Sequence, residues 1–285
     1  MRAWVVLPAY NEAENLPAIF EGCRRLVPDA HDLDLRLILV DDGSTDDTPH
    51  VARRNSRGLK VDILCNGTNR GLAETFMRGM VAAAQQADPD DVIVCMDADN
   101  SHLPAQLRRM IQDVLEGRDV VIASRYRNGA VVKGVPLLRR LMSRGMSLLF
   151  RVAYPIPGVR DYSCGFRAYR AGCLQKALAS QGNHLFAKEG FACMVGILLR
   201  LHKHGAIFGE VPIILRYDQK IGPTKMNVGA TVVRTLLVLL RERLGLGEKR
   251  KSADRPRAHP RFAAALSRVP VIAKPIRATR QAPRI

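Results

Sequence analysis

The stretch Val92-Ile93-Val94-Cys95-Met96-Asp97-Ala98-Asp99 decides the fold, because an apolar run ends there in two acids separated by one alanine. A short apolar run that stops at polar residues is typical of a buried parallel strand. The carboxyl ends of such strands open onto the crevice where α/β sheets bind ligands. Two carboxylates there suit a hard cation such as Mg2+ or Mn2+. Phosphate oxygens of a substrate would complete the coordination shell of that cation. The alternative is that Asp97 and Asp99 only cap the next helix.

The composition is that of a folded protein with an uneven charge. The chain has 285 residues, of which 47% are hydrophobic, so it can bury a full core in one large domain, with or without an appendage. The formal net charge is +17, and residues 248–285 carry 11 Lys or Arg against 2 acids. This basic end favours a polyanion or an anionic membrane surface as a partner, and a solvated tail is the alternative.

Compartment and membrane signals are weak in this sequence. The six cysteines form no Cys-x-x-Cys pair, which favours reduced, cytosolic thiols. The apolar run at 3–7 is cut short by Pro8, so no secretory signal is evident. Residues 228–246 are apolar but interrupted by Arg234 and Arg241, which predicts an amphipathic helix. That helix would lie on a membrane surface or pack against the protein's own core.

Strands and helices alternate through the first half of the chain. We predict strands at 4–7, 35–40, 61–65, 92–96 and 120–123, and helices at 12–26, 46–55, 73–86 and 107–116. Such alternation predicts βαβ units with right-handed crossovers and a mostly parallel, Rossmann-like α/β sheet. Further along, we predict a loop and helix at 134–149, a strand within 161–170, a helix at 191–204 and a strand at 207–215.

Three polar loops follow the predicted strands at one edge of the sheet. They are Pro8-Ala9-Tyr10-Asn11-Glu12, the acidic loop at 41–46, and Asp97-Ala98-Asp99. Helix capping explains each loop singly, but it does not require paired acids in more than one of them. A nucleotide needs a platform for its base, acceptors for its ribose and a metal for its phosphates, and these loops offer all three. No glycine-rich phosphate cradle is present, so metal and arginine would hold the phosphates.

Six motifs in order, spread over roughly residues 1–226, resemble the family 2 glycosyltransferases with the GT-A fold. Besides the three loops, they are Asn69-Arg70-Gly71-Leu72, Ser124-Arg125-Tyr126 and Asp161-Tyr162-Ser163-Cys164-Gly165-Phe166-Arg167. Within that family the chain is most similar to the dolichol-phosphate mannosyltransferase-like, or polyprenyl-phosphate glycosyltransferase, branch. The resemblance implies a GDP- or UDP-linked sugar donor, a bound Mg2+ or Mn2+, and inversion at the anomeric carbon. The acceptor would be a polyprenyl phosphate reached by peripheral contact with the cytosolic face of a membrane.

The resemblance also assigns roles to individual residues. Nucleotide contacts would come from Pro8, Ala9, Tyr10, Glu12, Asp41, Asp42, Gly71 and Asp97. Asp97 and Asp99 would hold the metal and, with Arg125, form the catalytic group. The acceptor would meet Arg125, Arg139, Ser143, Arg167 and Lys225. For Arg139 and Ser143 the alternative is an ordinary solvated basic helix.

Two departures from the family pattern bear on the site. Relatives often continue the second acid with Leu-Gln-His-Pro, in which the Gln helps to bind metal, whereas this chain has Asn100-Ser101-His102-Leu103. We expect His102 to cap a helix rather than to ligate metal. Further on, Gln219 stands where relatives carry an arginine, and Lys220 or Arg216 would supply the missing charge.

Three functions stay open from the sequence. The first is transfer of mannose or glucose to a polyprenyl phosphate, and the second is transfer to a hydroxyl acceptor by an enzyme of the same fold. The third is a non-catalytic nucleotide-sugar or nucleic-acid-binding protein, although the acids in three loops weigh against it. We expect a catalytic domain at 1–226, an amphipathic helix at 227–247 and a basic, disordered tail at 248–285.

Overall fold

The computed structural model describes residues 1–27, 33–185, 193–221 and 237. The predicted amphipathic helix, the basic tail and Lys225 therefore lie outside the described residues, apart from Leu237. The division at residues 226 and 247 stays a prediction for the same reason. The described residues contain the whole predicted sheet and the loops at its edge.

A central sheet of seven strands organises the described part of the chain. In chain order the strands, including a separate pair (β6 and β9), are β1 (Arg2–Ala9), β2 (Asp34–Asp41), β3 (Lys60–Cys65), β4 (Val92–Cys95), β5 (Val120–Ser124), β6 (Val131–Lys133), β7 (Arg167–Arg170), β8 (Phe208–Pro212) and β9 (Ile214–Arg216). The order across the large sheet is β3-β2-β1-β4-β7-β5-β8, and β6 pairs with β9 in a two-stranded sheet. All pairs are parallel except those that β7 makes with β4 and β5.

Helices connect and cover the strands. They are α1 (Leu16–Arg24), α2 (Thr48–Asn55), α3 (Leu72–Gln86), α4 (Leu107–Leu115), α5 (Leu137–Ala153), α6 (Ala171–Gln181) and α7 (Cys193–Lys203). Helix α3 packs closely on β1 and β2, since a Cβ built on its Gly79 would lie 2.4 Å from a methyl carbon of Val6. Within the described part of the chain, every helix falls short of the length and apolarity that a membrane-crossing segment needs.

The predicted α/β class and mostly parallel sheet are confirmed. The strands of the first half agree with their predicted ranges to within two residues at each end. The first helix begins at Leu16 rather than at residue 12, because Asn15 is its N-cap and Pro17 occupies the first turn, where proline's fixed φ suits a helix start. The neighbouring backbone at 12–15 forms a turn instead.

Three elements differ from the prediction. The strand expected at 207–215 is two strands, because the chain leaves the large sheet at Pro212, which has no N–H to donate, and then pairs with β6. Strand β6 is too short and too exposed to show a pattern in the sequence. Helix α6 buries two alanines and two leucines, with a weak apolar period, and the sequence analysis does not predict it.

Candidate active site

One large cavity, of about 750 Å³, lies at the edge where β1, β2, β4 and β5 end. The predicted site residues that line it are Pro8, Ala9, Tyr10, Glu12, Asp42, Gly71, Asp97, Asp99, Arg125, Arg139 and Ser143. Parallel strands deliver their carboxyl ends to the same edge, which is why residues so far apart in sequence meet. The acidic loops lie at the ends of β1, β2 and β4, and the cationic residues come from the end of β5 and from α5.

The loops after β1 and β2 are joined by hydrogen bonds. The Asn11 backbone N–H donates to Ser44 Oγ over 2.9 Å, and the Thr45 backbone N–H donates to Asn11 Oδ1 over 2.8 Å. Asn11 has a φ of 51°, a left-handed value that asparagine tolerates better than most residues. This exchange fixes the loop that presents Tyr10 and Glu12 to the cavity.

Asp42 is a buried acid that binds the next loop together. One carboxylate oxygen accepts from the Arg70 backbone N–H over 2.9 Å and from the Asn66 amide over 2.8 Å. The other accepts from the Gly71 backbone N–H over 2.9 Å. Asp42 therefore positions Gly71, the N-cap of α3, beside the cavity. Its neighbour Asp41 is buried, accepts from the Ser44 backbone N–H over 3.2 Å and does not line the cavity, contrary to the prediction.

The two acids of the Asp-x-Asp motif lie in different environments. Burial raises the pKa of Asp97, and the nearby Asp99 carboxylate adds to this, although His102 opposes it. Burial would also raise the pKa of Asp99, but His102 and Lys220 outweigh it and hold that pKa below its usual value. Asp99 therefore ionises more readily than Asp97, and a bound cation would favour the ionised form of both.

His102 serves the Asp-x-Asp loop and does not cap a helix. Its Nδ1 accepts the Asp97 backbone N–H over 3.2 Å, and its ring stacks on Phe166 with centroids 4.9 Å apart. Helix α4 instead begins after a single 3₁₀ turn at Pro104–Gln106, with no side-chain cap. The expectation of a helix cap is therefore wrong. Because Nδ1 already accepts a backbone bond, His102 orients Asp97 through the main chain.

Asp99 is held on both oxygens. Ser101 donates to Oδ1 from its hydroxyl over 2.5 Å and from its backbone N–H over 3.1 Å. The Lys220 ammonium donates to Oδ2 over 2.7 Å, and both side chains of that pair are nearly buried. Lys220 thus supplies a charge beside the site, as the departure at Gln219 led us to expect, and its partner is the second acid of the motif.

The residues at this edge fit a divalent cation. Asp97 and Asp99 offer hard oxygen donors, and Lys220 shows that the site already draws a positive charge onto Asp99. Across residues 1–27, 33–185 and 193–221, no group of three or more His, Cys, Asp and Glu side chains could hold a metal by itself. Phosphate oxygens of a ligand would have to complete the shell, as is usual for Mg2+.

Arg125 is fixed by the buried carboxylate of Asp161. Its Nε donates to Asp161 Oδ2 over 2.8 Å and its Nη2 donates to Oδ1 over 2.7 Å, so the pair is bidentate. Asp161 is fully buried, and burial would raise its pKa, but Arg125 outweighs this and holds the pKa below its usual value. Arg125 also donates to Ser163 Oγ over 2.7 Å, and its guanidinium reaches the cavity.

Two tyrosines hold the predicted acceptor residues of α5. Arg139 Nη1 donates to the Tyr217 hydroxyl over 2.9 Å, and its guanidinium lies 5.1 Å from the Tyr217 ring centre. The Ser143 and Tyr126 hydroxyl oxygens are 2.7 Å apart. Both α5 residues therefore face the cavity from one helix wall, which agrees with a site helix better than with a wholly solvated one.

Arg167 does not reach the cavity. It is fully buried, and its guanidinium donates to the backbone carbonyls of Tyr162 and Met194. This arginine therefore holds the segment before β7 against α7 and cannot contact an acceptor in this arrangement. The resemblance assigns Arg167 to the acceptor, but the structure places it inside the protein rather than in the site.

Several residues that line or support the cavity escaped the sequence analysis. Tyr126 and Tyr217 hold Ser143 and Arg139, and Asp161 orients Arg125. Asp161 and Tyr126 belong to motifs on which the family resemblance rests. Those motifs mark the two positions but assign them no role. Tyr217 carries no such signal, because it meets Arg139 only through the path of the loop after β9.

With the geometry in place, the matching family model is "Glycosyl transferase family 2", over residues 4–178. The chain belongs to glycosyl transferase family 2. This glycosyltransferase is 30% identical over 228 residues to the polyprenol monophosphomannose synthase of Mycolicibacterium smegmatis, covering 79% of this chain and 81% of that protein. It is 32% identical over 230 residues to the undecaprenyl-phosphate mannosyltransferase of Micrococcus luteus, covering 80% of this chain and 89% of that protein.

Solved structures share the fold of this family 2 glycosyltransferase. Glucosyl-3-phosphoglycerate synthase from Mycobacterium tuberculosis, in complex with Mn2+, uridine diphosphate and phosphoglyceric acid, superposes with a TM-score of 0.59 at 23% identity, covering 85% of this chain and 78% of that chain. The same protein with Mg2+ and uridine diphosphate gives a TM-score of 0.58 at 22% identity, covering 85% and 79%. At this identity the likeness confirms the predicted GT-A fold and carries no assignment of substrate.

Proposed function

We propose that this glycosyltransferase moves a hexose, mannose or glucose, from a nucleotide-diphosphate sugar to a polyprenyl phosphate with inversion at the anomeric carbon. The observation that carries the proposal is a single cavity with acids on one side and cations on the other. Asp97 and Asp99 lie at the end of β4, while Arg125, Arg139 and Ser143 lie at the end of β5 and on α5. The relatives named above, which transfer mannose to polyprenyl or undecaprenyl phosphate by their names, support the same acceptor.

The acidic side suits the donor. In the proposal the nucleotide lies against Pro8, Ala9 and Tyr10, and Asp42 and Gly71 border it from the loops after β2 and β3. Asp97 and Asp99 hold Mg2+ or Mn2+, which neutralises the diphosphate leaving group when it is bound. The solved relatives bind Mn2+ or Mg2+ together with uridine diphosphate, which supports a metal and a diphosphate here without choosing between a GDP and a UDP donor.

The cationic side suits an acceptor that is already an anion. A phosphate monoester is ionised at neutral pH, so its attack on the anomeric carbon needs charge stabilisation rather than a base. A hydroxyl acceptor would need a general base within hydrogen-bond reach. The described carboxylates that line the cavity, Glu12, Asp42, Asp97 and Asp99, belong to the donor side, and the one described histidine that lines it, His102, has its Nδ1 engaged by the Asp97 backbone. Arg125, Arg139 and Ser143 therefore favour the phosphate over the hydroxyl.

The surface of α5 supports peripheral contact with a membrane. Leu137, Leu141, Leu148 and Val152, which we call the α5 stripe, fall on one helical face and are 71%, 54%, 60% and 75% exposed. Arg144 and Arg151 lie on the same helix and suit anionic head groups. The helix that carries Arg139 and Ser143 would thus rest on the surface that holds a polyprenyl phosphate. We place this surface at the cytosolic face, since all six cysteines are free thiols.

A donor screen tests the proposal. Purified protein is incubated with radiolabelled GDP- and UDP-linked mannose and glucose, with Mn2+ or Mg2+, in the presence and absence of a polyprenyl phosphate. We expect one donor to give an organic-extractable labelled lipid only when both metal and polyprenyl phosphate are present. Mild acid should release the labelled sugar, because a glycosyl phosphate is acid-labile, and NMR of the intact glycolipid reads the anomeric configuration before that step.

Other outcomes would replace the proposal. Label in a water-soluble glycan, with none in lipid, would establish the hydroxyl-acceptor alternative. Nucleotide-sugar binding without transfer to any acceptor or to water would establish a non-catalytic binding protein. A mixed result is separated by replacing polyprenyl phosphate with the corresponding free polyprenol, because only the phosphate is ionised.

A further inference from the structure

Lys220 lies on a short segment that borders the cavity through Tyr217 and Lys220. We call residues 216–221 the strap. At its start the Arg216 backbone N–H donates to the Ser101 carbonyl over 2.9 Å. At its end Ile221 exchanges two hydrogen bonds of 3.2 Å with the side-chain amide of Asn15. The strap therefore joins the loop after β4 to the start of α1, and Lys220 lies between these two anchors.

The strap also packs against the α5 side of the cavity. A Cβ built on Gly134 would lie 2.5 Å from the Asp218 backbone nitrogen, so glycine allows this close approach. Tyr217 accepts the hydrogen bond of Arg139, and the Lys220 ammonium lies 5.5 Å from the same ring centre. Arg139 and Lys220 therefore both lie against the Tyr217 ring.

The Lys220–Asp99 contact occupies the oxygen that a metal would need. Asp99 Oδ1 is already bound by Ser101, and Oδ2 accepts from Lys220 over 2.7 Å. The two side chains are only 12% and 14% exposed, so water screens this ion pair weakly. Burial would lower the pKa of Lys220, but Asp99 outweighs it and raises that pKa, so the side chain stays an ammonium.

We propose that Lys220 is an internal competitor for the divalent metal at Asp99, displaced when the metal and the donor diphosphate bind. The inference rests on the proposed metal-dependent function. Two cations at one carboxylate oxygen repel each other, so each weakens the binding of the other, and this coupling is reciprocal. The strap keeps the displaced ammonium beside Asp99, where the anionic donor is bound. Metal alone should therefore bind weakly, and metal with a diphosphate should bind well.

Direct binding of Mn2+ tests the competition without any turnover. Titrations followed by the electron paramagnetic resonance of free Mn2+ are run on the full chain without nucleotide. We expect Lys220→Met to tighten Mn2+ binding roughly tenfold, within the range usual for coupled sites. Lys60→Met is the matched control, because Lys60 makes an ion pair of the same 2.7 Å length with Asp34 and does not line the cavity. It should leave the Mn2+ affinity unchanged.

A second measurement uses the unmodified protein. An amine-reactive reagent is added with and without saturating Mg2+, in the absence of nucleotide so that no diphosphate pairs with Lys220 or covers it, and labelled lysines are quantified by mass spectrometry. We expect Lys220 to label several-fold faster with Mg2+, since Asp99 no longer holds its ammonium, while Lys60 labels at a constant rate. This arm gives an answer even if Lys220→Met does not fold.

The outcomes separate the inference from the function on which it rests. If Mn2+ binding requires Asp99 but is unchanged or weaker in Lys220→Met, and the labelling rate of Lys220 does not change with Mg2+, the competition is refuted and the metal site stands. If the parent protein binds no Mn2+ with or without uridine diphosphate, the proposed metal-dependent function fails first. Tighter binding in Lys220→Met that is lost again in Asp99→Asn/Lys220→Met supports both.

Discussion

Arg125 and Asp161 form a bidentate ion pair in which the acid is fully buried and the guanidinium reaches the cavity. The Arg125 backbone N–H also donates to Asp161, over 3.0 Å, so one carboxylate fixes both the main chain and the side chain of the arginine. The Cys164 backbone N–H donates to the same carboxylate over 3.1 Å. The residue proposed to meet phosphate is therefore held in place before any ligand arrives.

The first prediction is that Asp161→Asn destabilises the fold and misplaces Arg125. Removing one member of a buried pair leaves the other charge uncompensated, which costs about 3 kcal/mol. Chemical denaturation should show this loss, and the acceptor's KM should rise because Arg125 loses its orientation. Asp90→Asn is the control, since Asp90 is exposed and does not line the cavity. Unchanged stability and KM in Asp161→Asn would contradict the assigned role.

The second prediction follows from the lowered pKa of Asp161. A carboxyl whose folded pKa is below its unfolded pKa stabilises the fold fully above the unfolded value, which is about 3.9 for Asp. That contribution should disappear as the pH falls below about 4 toward the folded pKa. Denaturation curves between neutral and acid pH should therefore converge for the parent and Asp161→Asn. A stability difference that stays constant down to the lowest pH would show that Asp161 acts through shape rather than charge.

The third prediction concerns the metal. Asp99→Asn should lower turnover by roughly two orders of magnitude or more, because a metal contributes several kcal/mol to stabilising the leaving charge. Mn2+ should strengthen nucleoside-diphosphate binding in the parent and not in the variant, as calorimetry would measure. The Asn keeps the size of the side chain, so circular dichroism and thermal unfolding should confirm a folded protein. Equal enhancement by Mn2+ in both proteins would remove Asp99 from the metal site.

The fourth prediction concerns the acceptor. Arg139→Ala should raise the acceptor's KM roughly tenfold or more, the worth of a charge-assisted hydrogen bond, and leave donor affinity nearly unchanged. Ser143→Ala should have a smaller effect, since it removes only a neutral hydroxyl. Donor hydrolysis by water should survive both changes. Arg108→Ala, an exposed arginine on α4, is the matched control. Parent-like transfer to polyprenyl phosphate by both site variants would favour the hydroxyl-acceptor alternative.

The fifth prediction concerns the α5 stripe. Leu148→Ser with Val152→Ser should weaken binding to anionic vesicles roughly thirtyfold, because each side chain loses about 1 kcal/mol of apolar burial in the lipid interface. Leu115→Ser is the control, since Leu115 is 44% exposed on α4. Flotation at rising salt should show a further electrostatic part, to which residues 248–285 contribute in our expectation. Vesicle binding that is unchanged by the double substitution would show that the α5 stripe makes some other contact.

The donor side of the site could be predicted because it depends on local patterns. Each apolar run ends in a polar loop, and parallel strands bring these loops to one edge, so Pro8, Asp42 and Asp97 meet without any knowledge of the loop paths. The family resemblance then added Arg139 and Ser143, which no period in the sequence marks. Both kinds of inference placed residues in the cavity correctly.

The ionic and aromatic partners could not be predicted, because they depend on how distant loops cross. Lys220 meets Asp99 across 121 positions, and Arg139 meets Tyr217 across 78, with no periodic signal at either end. Arg167 shows the opposite failure. Arg167 is the last residue of a family motif, but it lies on the antiparallel strand β7 and its guanidinium donates to two backbone carbonyls. These contacts hold the side chain in the interior.

The antiparallel strand has a consequence for how such a protein can diversify. Because β5 and β7 are neighbours that run in opposite directions, with Ile122 beside Arg167, the chain leaves the sheet at 125 and returns at 166 through adjacent positions. The whole of α5 is carried on that excursion. Such an insertion can lengthen, shorten or be exchanged while strand order and the opposite wall stay as they are. We therefore expect related proteins with different acceptors to differ mainly in this one contiguous segment, residues 125–166. The residues on the nucleotide side of the cavity should change far more slowly.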